Sequence, residues 1–459
     1  MDFKNKNIAV IGGGVEGLSS AKYLKNKGAH VTILDRKDSK DYLKGLDKYD
    51  LIVRSPGVKI SELIIHNSEL IISKVTSQTR LFFELCPAKI IGVTGTKGKG
   101  TTSTLIYEML KKQGFDAYLG GNIGVPPFEF LDKLNTQAIV VLELSSFQLE
   151  DLTRSPQIAV ILMITSEHLA PSEWQKNFHK NLEKYVDAKR NILKFQTEKD
   201  FAVINKDYIS SRESDVEANG KIYFVSTEDE CGSGCFVRQN SIWIKDPSAS
   251  VRHAQDKSSG QVAFEERVID TKEILIPGAH NLENVCAASM AAYLAGVSIA
   301  NIAYVLKNFK GLEHRLELFA TINGVKYYDD SISTIPESAI VAIKAFKDPK
   351  ILILGGITEG SSFDELGRLI AGEQSIKAII GIGKEWPNIK KAIEKYSPAS
   401  QILFLEGATS MSQIVAAASK IAIPEDIVLL SPACKSFDMF KNYKDRGDQF
   451  KHFVLKLKS

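Results

Sequence analysis

The sequence predicts an α/β protein of three domains: an N-terminal Rossmann-like domain, a central P-loop ATPase-like sheet and a C-terminal Rossmann-like domain. Three observations carry this. Short β-rich apolar runs alternate with helix-length amphipathic segments along the whole chain; two glycine-rich loops each lie between such a run and a helix; and 459 residues suffice for about three domains at roughly 150 residues each. The expected domains are 1–88, 89–310 and 311–459.

The first domain opens with strand Asn7–Ile11, a helix over 17–27 and strand His30–Leu34, a βαβ unit. In the second, Lys89–Thr94, 138–144, 158–165 and Phe201–Asn205 read as strands. The polar stretch 206–272, with short strands at 221–225 and 241–244, reads as a hairpin-rich insertion. The uncharged, Ala-rich stretch 285–303 reads as a buried helix, because Ser289, Tyr293, Gly296, Ser298 and Asn301 interrupt it too often for a membrane span. Strands of the third domain are expected at 350–354, Ile376–Ile382, 401–405 and 426–430.

Charge and cysteine usage exclude several classes. Lys and Arg number 58 against 55 acidic residues, a formal charge of +3, too balanced for a protein whose partner is a nucleic acid or an anionic membrane. Any bound anion must be held locally. Five cysteines make no disulfide framework, and Cys231 and Cys235, in a Gly/Ser loop without a second Cys or His pair, make no zinc site. The polar start is followed at once by a strand, so neither a secretory nor a transit signal is visible and the cytoplasm is the expected location.

Two loops carry chemistry. Gly12-Gly13-Gly14-Val15-Glu16-Gly17 is G-x-G-x-x-G between a strand and a helix, and Asp35 ends the next strand where a ribose-binding acid would sit. Backbone N–H groups at a helix N-terminus donate to the oxygens of any phosphate, so a nicotinamide or flavin dinucleotide, another nucleotide and a ligand-free tight turn all remain open. The second loop is more specific. Gly95-Thr96-Lys97-Gly98-Lys99-Gly100-Thr101-Thr102 follows an apolar strand and opens a helix, a P-loop variant that binds ATP: glycines wrap the phosphates, Lys99 supplies a cation and Thr101 a hydroxyl for Mg²⁺.

This G-T-x-G-K-G-T-T loop resembles that of the Mur ligases and of folylpolyglutamate synthases, which join an amino acid to a carboxylate. Leu142-Glu143-Leu144-Ser145-Ser146-Phe147-Gln148-Leu149-Glu150 and the seventeen-residue segment 431–447 (SPACKSFDMFKNYKDRG) resemble the glutamate-adding branch of the Mur ligases. The resemblance runs through all three domains and leaves only 206–272 unmatched. Folylpolyglutamate synthases lack the first domain, so the Gly12 loop favours the Mur branch.

The resemblance implies an ATP- and Mg²⁺-dependent ligase that adds D-glutamate to UDP-N-acetylmuramoyl-L-alanine through an acyl phosphate, in peptidoglycan precursor synthesis. Its partners would be small molecules, with no nucleic acid, no membrane and a monomeric chain. It implies that Gly14, Val15, Glu16, Asp35, Gly57 and Asn122 bind the UDP-sugar. Gly95, Thr96, Gly98, Lys99, Gly100, Thr101 and Thr102 would hold ATP phosphate, Asn284 the adenine, and Arg315 with Asp330 phosphate and ribose, while Asn281 caps its helix. Lys99, Glu143, His168 and Lys189 would be catalytic; Thr101, Glu143, His168 and a carbamylated Lys189 would hold Mg²⁺. Thr334, Ser436, Phe437 and Tyr443 match the amino-acid pocket.

Departures from the family pattern fall near that pocket and at His168. Glu167 and Ala170 replace aspartates of D-H-L-D, Ile332 replaces the lysine of N-D-S-K-A-T, and Glu359 replaces that of G-G-x-x-K-G. Lys435 is then a candidate relocated cation. These changes leave open a relative that uses L-glutamate or another amino acid, and a nucleotide binder that has lost ligation. A dehydrogenase would leave the P-loop and the 431–447 motif idle.

Overall fold

The computed structural model describes residues 1–459 except 40, 60–62, 64–68, 166–177, 249–263, 359, 398–401 and 459. Their contacts divide the chain into two units, Met1–Glu273 with Leu282–Leu306, and Ile274–Asn281 with Lys307–Ser459.

The first unit holds two sheets. Strands β1 (Asn7–Ile11), β2 (His30–Leu34), β3 (Leu51–Arg54) and β4 (Val75–Ser77) form a parallel sheet in the order β2-β1-β3-β4. The central sheet contains β5 (Lys89–Thr94), β6 (Ala117–Gly121), β7 (Ile139–Glu143), β8 (Ile158–Ile161), β9 (Phe201–Asn205), β10 (Lys221–Ser226), β11 (Gly234–Arg238), β12 (Ser241–Asp246) and β13 (Phe264–Asp270). Its order is β13-β12-β11-β10-β9-β8-β5-β7-β6. The stretch 206–272 is therefore no appended module: β10 pairs parallel with β9 and β11, and β11, β12 and β13 complete the sheet antiparallel. Cys235, expected in a loop, lies inside β11 and is fully buried.

One apolar core joins the two sheets. Ile8, Val10 and Leu24 from the first share it with Phe128, Leu142 and Leu144 from the second. Fully buried Arg54 at the end of β3 seals the same boundary: its Nε donates to Asp151 Oδ2 at 3.2 Å and its NH2 to the Phe147 carbonyl at 3.3 Å. A buried guanidinium needs such partners, because leaving one uncompensated costs several kcal/mol.

The second unit contains β14 (Glu317–Ile322), β15 (Val325–Asp329), β16 (Lys350–Gly355), β17 (Ile376–Ile382), β18 (Leu403–Leu405) and β19 (Ile427–Leu430), ordered β14-β15-β19-β16-β17-β18. Only the β14–β15 hairpin is antiparallel. The helix expected over 285–303 is in fact two, Ala279–Ala295 and Ile299–Asn308, because Gly296 takes φ +103° and ends the first. Among the described residues no helix is long and apolar enough to cross a membrane.

Candidate functional site

Strand register assembles the first half of the site. Val93 of β5 and Gly121 of β6 both lie opposite Glu143 of β7, and Thr94 lies opposite Ile161 of β8. The C-terminal ends of four neighbouring parallel strands thus finish level, the edge at which α/β sheets carry ligands. From β5 the chain turns through Gly95–Gly98 into the helix Lys99–Gln113.

Buried side chains hold this loop from below. Thr96 Oγ1 accepts from the Thr165 N–H at 2.9 Å and meets the Tyr185 hydroxyl at 3.0 Å. Lys189, one helical turn after Tyr185 and 2% exposed, donates from Nζ to the Gly95 carbonyl at 2.7 Å. Lys99 Nζ donates to the Gly95 and Thr96 carbonyls at 3.1 and 3.0 Å. Two ammonium groups therefore converge on the carbonyls that open the loop. On the helix, Thr101 and Thr102 are buried, and Thr102 Oγ1 donates to Asn284 Oδ1 at 3.4 Å.

Glu143 is 7% exposed and accepts from Asn122 Nδ2 at 3.2 Å, so the residue expected on the UDP-sugar and the one expected on the metal touch one another. Just beyond, Ser145 caps a short helix in a reciprocal pair with Gln148, whose Nε2 donates to Glu16 Oε1 at 2.8 Å. Gln78 Nε2 donates to the Glu16 carbonyl at 2.8 Å. Burial pushes the Glu16 carboxyl up to about 7, against the opposing pull of Gln148 and Arg54.

The first glycine loop is a tight strand-to-helix turn. A Cβ on Gly17 would lie 1.8 Å from the Gly12 carbonyl oxygen, so only glycine admits that approach. Gly14 precedes the helix Val15–Asn26, and Gly14, Val15 and Gly57 are exposed. Asp35, read as a ribose acid, accepts from the Gly13 N–H at 2.6 Å and the Lys37 N–H at 2.9 Å. Those two donors hold its carboxyl below the usual range. Part of its acceptor capacity is thus spent on fixing the loop.

In the second unit, Asp329 of β15 faces Leu430 of β19, so the 330–334 and 431–437 loops leave the sheet together. Asp330 accepts from the Leu316 N–H at 3.2 Å and the Ser431 hydroxyl at 2.7 Å, and burial raises its carboxyl to about 7. Arg315 is exposed between His314 and Leu316, whose φ values of 61° and 45° are left-handed. Ser436 is buried, Thr334 and Tyr443 are half-buried, and Phe437 is 67% exposed. Asn281 lies within the first turn of its helix, where Nδ2 donates to the Pro277 carbonyl at 2.5 Å; it is not the cap expected of it.

His168 and Glu359 lie outside the described residues. Among the described residues, two groupings are compact enough for a metal: Glu313 with His314 and Asp448, and His314 with Glu317 and Asp329. The Lys451 ammonium already lies 2.6 Å from Glu317 and 3.5 Å from Glu313, so an internal cation serves them. Sequence reasoning passed over Tyr185, although its i, i+4 spacing to Lys189 puts both on one helix face.

A run of parallel strands that delivers a P-loop and an acidic strand end to one edge, beside a second parallel sheet carrying a glycine-rich strand-to-helix turn, defines a nucleotide-binding α/β protein. Family profiles described as "Mur ligase middle domain" and "Mur ligase, glutamate ligase domain" match residues 93–292 and 314–434. A third, "Pyridine nucleotide-disulphide oxidoreductase", matches 7–49 alone, the βαβ unit around the Gly12 loop. Two relatives are named UDP-N-acetylmuramoylalanine–D-glutamate ligase. That of Acetivibrio thermocellus is 37% identical, covering 98% of this chain and 96% of its own, and that of Ruminiclostridium cellulolyticum is 35% identical, covering 100% and 98%. The chain belongs to the Mur ligase family. Solved structures agree in fold: the UDP-N-acetylmuramate–alanine ligase MurC of Thermotoga maritima (15% identity, TM-score 0.57, 99% of each chain) and the MurF ligase of the same organism in complex with ADP (17%, 0.54, 99% of this chain and 95% of that one). The three-domain α/β architecture read from the sequence is theirs.

Proposed function

We propose that the protein is an ATP-dependent ligase of the cytoplasm that adds D-glutamate to UDP-N-acetylmuramoyl-L-alanine. The observation that carries this is full-length identity of 35–37% to relatives bearing that name. The substrate carboxylate attacks the γ-phosphorus of ATP, ADP leaves, the amine of glutamate attacks the acyl phosphate, and inorganic phosphate departs. Negative charge accumulates at every step, so the protein's task is to position and neutralise anions. Lys99 binds and neutralises the phosphates at the loop, while Gly98 and Gly100 let the backbone close on them. Asn122 orients Glu143 toward the same edge.

Oxygen-rich, partly buried groups suit a hard divalent cation, and Glu143 and Thr101 at adjacent element ends supply them. Mg²⁺ bound there would neutralise phosphate charge. Lys189 as an ammonium cannot ligate a cation. A carbamate formed from it by CO₂ would be anionic while keeping one N–H, so the bond to the Gly95 carbonyl survives. ¹³C-bicarbonate NMR of the native protein tests this, with a carbamate signal lost in Lys189→Arg as the expected result; its absence in active protein rejects the modification.

The functional test is purified protein with ATP, Mg²⁺, UDP-N-acetylmuramoyl-L-alanine and each candidate amino acid, scored by phosphate release and product mass. The expected product carries D-glutamate. A product formed only with another amino acid would overturn the D-glutamate assignment, and no release with any would overturn ligation.

A further inference from the structure

Arg446 is 0% exposed, and its hydrogen bonds go to neutral oxygens on two different loops. Its Nε donates to Ser331 Oγ at 2.9 Å and its NH2 to the Ser331 carbonyl at 2.8 Å, while NH1 donates to the Cys434 carbonyl at 3.1 Å. Ser331 Oγ in turn donates to the Tyr443 carbonyl at 2.7 Å. A planar, forked guanidinium can reach two loops at fixed angles, which a lysine ammonium cannot. The two loops contain Thr334 on one side and Ser436 with Phe437 on the other, and Tyr443 begins the helix that carries Arg446. Ala433, beside Cys434, is held at φ 60°, a left-handed conformation that a free loop would abandon.

We propose that Arg446 is a positioning residue for the amino-acid pocket, bracing the 330–334 and 431–437 loops through Ser331 and the Cys434 carbonyl. This rests on the reading of Thr334, Ser436, Phe437 and Tyr443 as that pocket. Burial of a guanidinium is unfavourable, and desolvation lowers Arg446 to about 10. A purely packing role would be served at less cost by an apolar side chain. With the family's lysine replaced by Ile332, holding the remaining polar groups in place carries more of the task of binding.

The test compares Arg446→Lys with the milder Ser331→Ala, which removes one acceptor and leaves the Ser331 and Cys434 carbonyls for Arg446. Both should raise KM for D-glutamate about tenfold, the worth of one hydrogen bond to a charged group, and leave KM for ATP within about twofold. Arg446→Gln should match Arg446→Lys, because neither spans the two loops. Melting measured alongside separates a structural effect: Ser331→Ala that melts earlier with both KM values unchanged overturns the proposal, as does an equal rise in both. If wild type ligates a different amino acid, the D-glutamate reading fails alone, and the same KM split, measured with that amino acid, decides the role of Arg446.

Discussion

Gly98 and Asn284 occupy adjoining space at the P-loop: a Cβ built on Gly98 would lie 2.1 Å from Asn284 Oδ1 and 3.0 Å from its Cγ. Gly98 also has φ +84°. The loop and the helix that carries Asn284 are therefore fitted to one another through a missing side chain. Gly98→Ala meets both obstacles, a conformation costing of order 1–3 kcal/mol and a contact only rearrangement relieves. We expect KM for ATP to rise at least about tenfold, with a lower melting temperature in the absence of nucleotide. A variant with wild-type KM would show that the loop adapts freely.

Lys99, the first residue of its helix, is the cation proposed above to meet the ATP phosphates. Its charge matters most where charge is greatest, in phosphoryl transfer, so Lys99→Ala should lower kcat by two orders of magnitude or more and KM for ATP less. Single-turnover ADP formation reads this directly. Unchanged turnover would refute the assignment of this loop.

The strands Asn7–Ile11, His30–Leu34, Lys89–Thr94, Phe201–Asn205 and Ile376–Ile382 are legible to the residue because each is an apolar run ended by polar or glycine-rich sequence. The β14–β15 hairpin is harder to see. Glu317, Thr321 and Lys326 break its apolar runs, although Asn323–Gly324, with φ 51° and 79°, carries a hairpin-turn signal. The P-loop is legible for a related reason, since its chemistry is contiguous in sequence. Contacts between Thr96 and Tyr185, Gly98 and Asn284, or Ser331 and Arg446 join distant segments, and no local pattern specifies them. Departures such as Asn281 within its helix follow from the backbone path at Pro277–Gly278, which composition does not fix.

Glu16 makes stability pH-dependent with a definite sign. Its carboxyl, ordinarily at 4.5, is held at about 7 by burial. Between those values the folded protein keeps a proton that the unfolded chain has lost, so stability falls as pH rises, by about 3 kcal/mol in all. Asp330 acts in the same direction. Glu16→Gln should therefore flatten part of the slope, leaving the variant more stable than wild type at pH 8 and no more stable at pH 4.5. Urea midpoints across that range check it, and parallel curves for the two proteins would mean Glu16 ionises normally.

The last prediction concerns Lys435. Its N–H donates to the Ile357 carbonyl and its carbonyl accepts from the Ile357 N–H, both at 2.9 Å, an antiparallel bridge just after the Gly355–Gly356 turn. That bridge ties the Lys435 backbone to Ile357, two residues in sequence before Glu359, where the family pattern has lysine. A carboxylate ~4 Å from the side-chain carboxylate of bound glutamate would repel it by ~4 kcal/mol at an effective dielectric of 20. A hydrogen bond from Thr334 or Ser436 to that carboxylate offsets ~1.5–3 kcal/mol. A Glu359 carboxylate in the place of the family's lysine would call for a compensating cation, and Lys435, bridged to Ile357, is the candidate. Lys435→Ala should raise KM for glutamate by more than about tenfold and leave KM for ATP nearly unchanged. Glu359→Lys should be neutral or beneficial. Wild type that prefers an uncharged amino acid over both glutamate enantiomers, together with a silent Lys435→Ala, would remove the relocated cation and the glutamate assignment together.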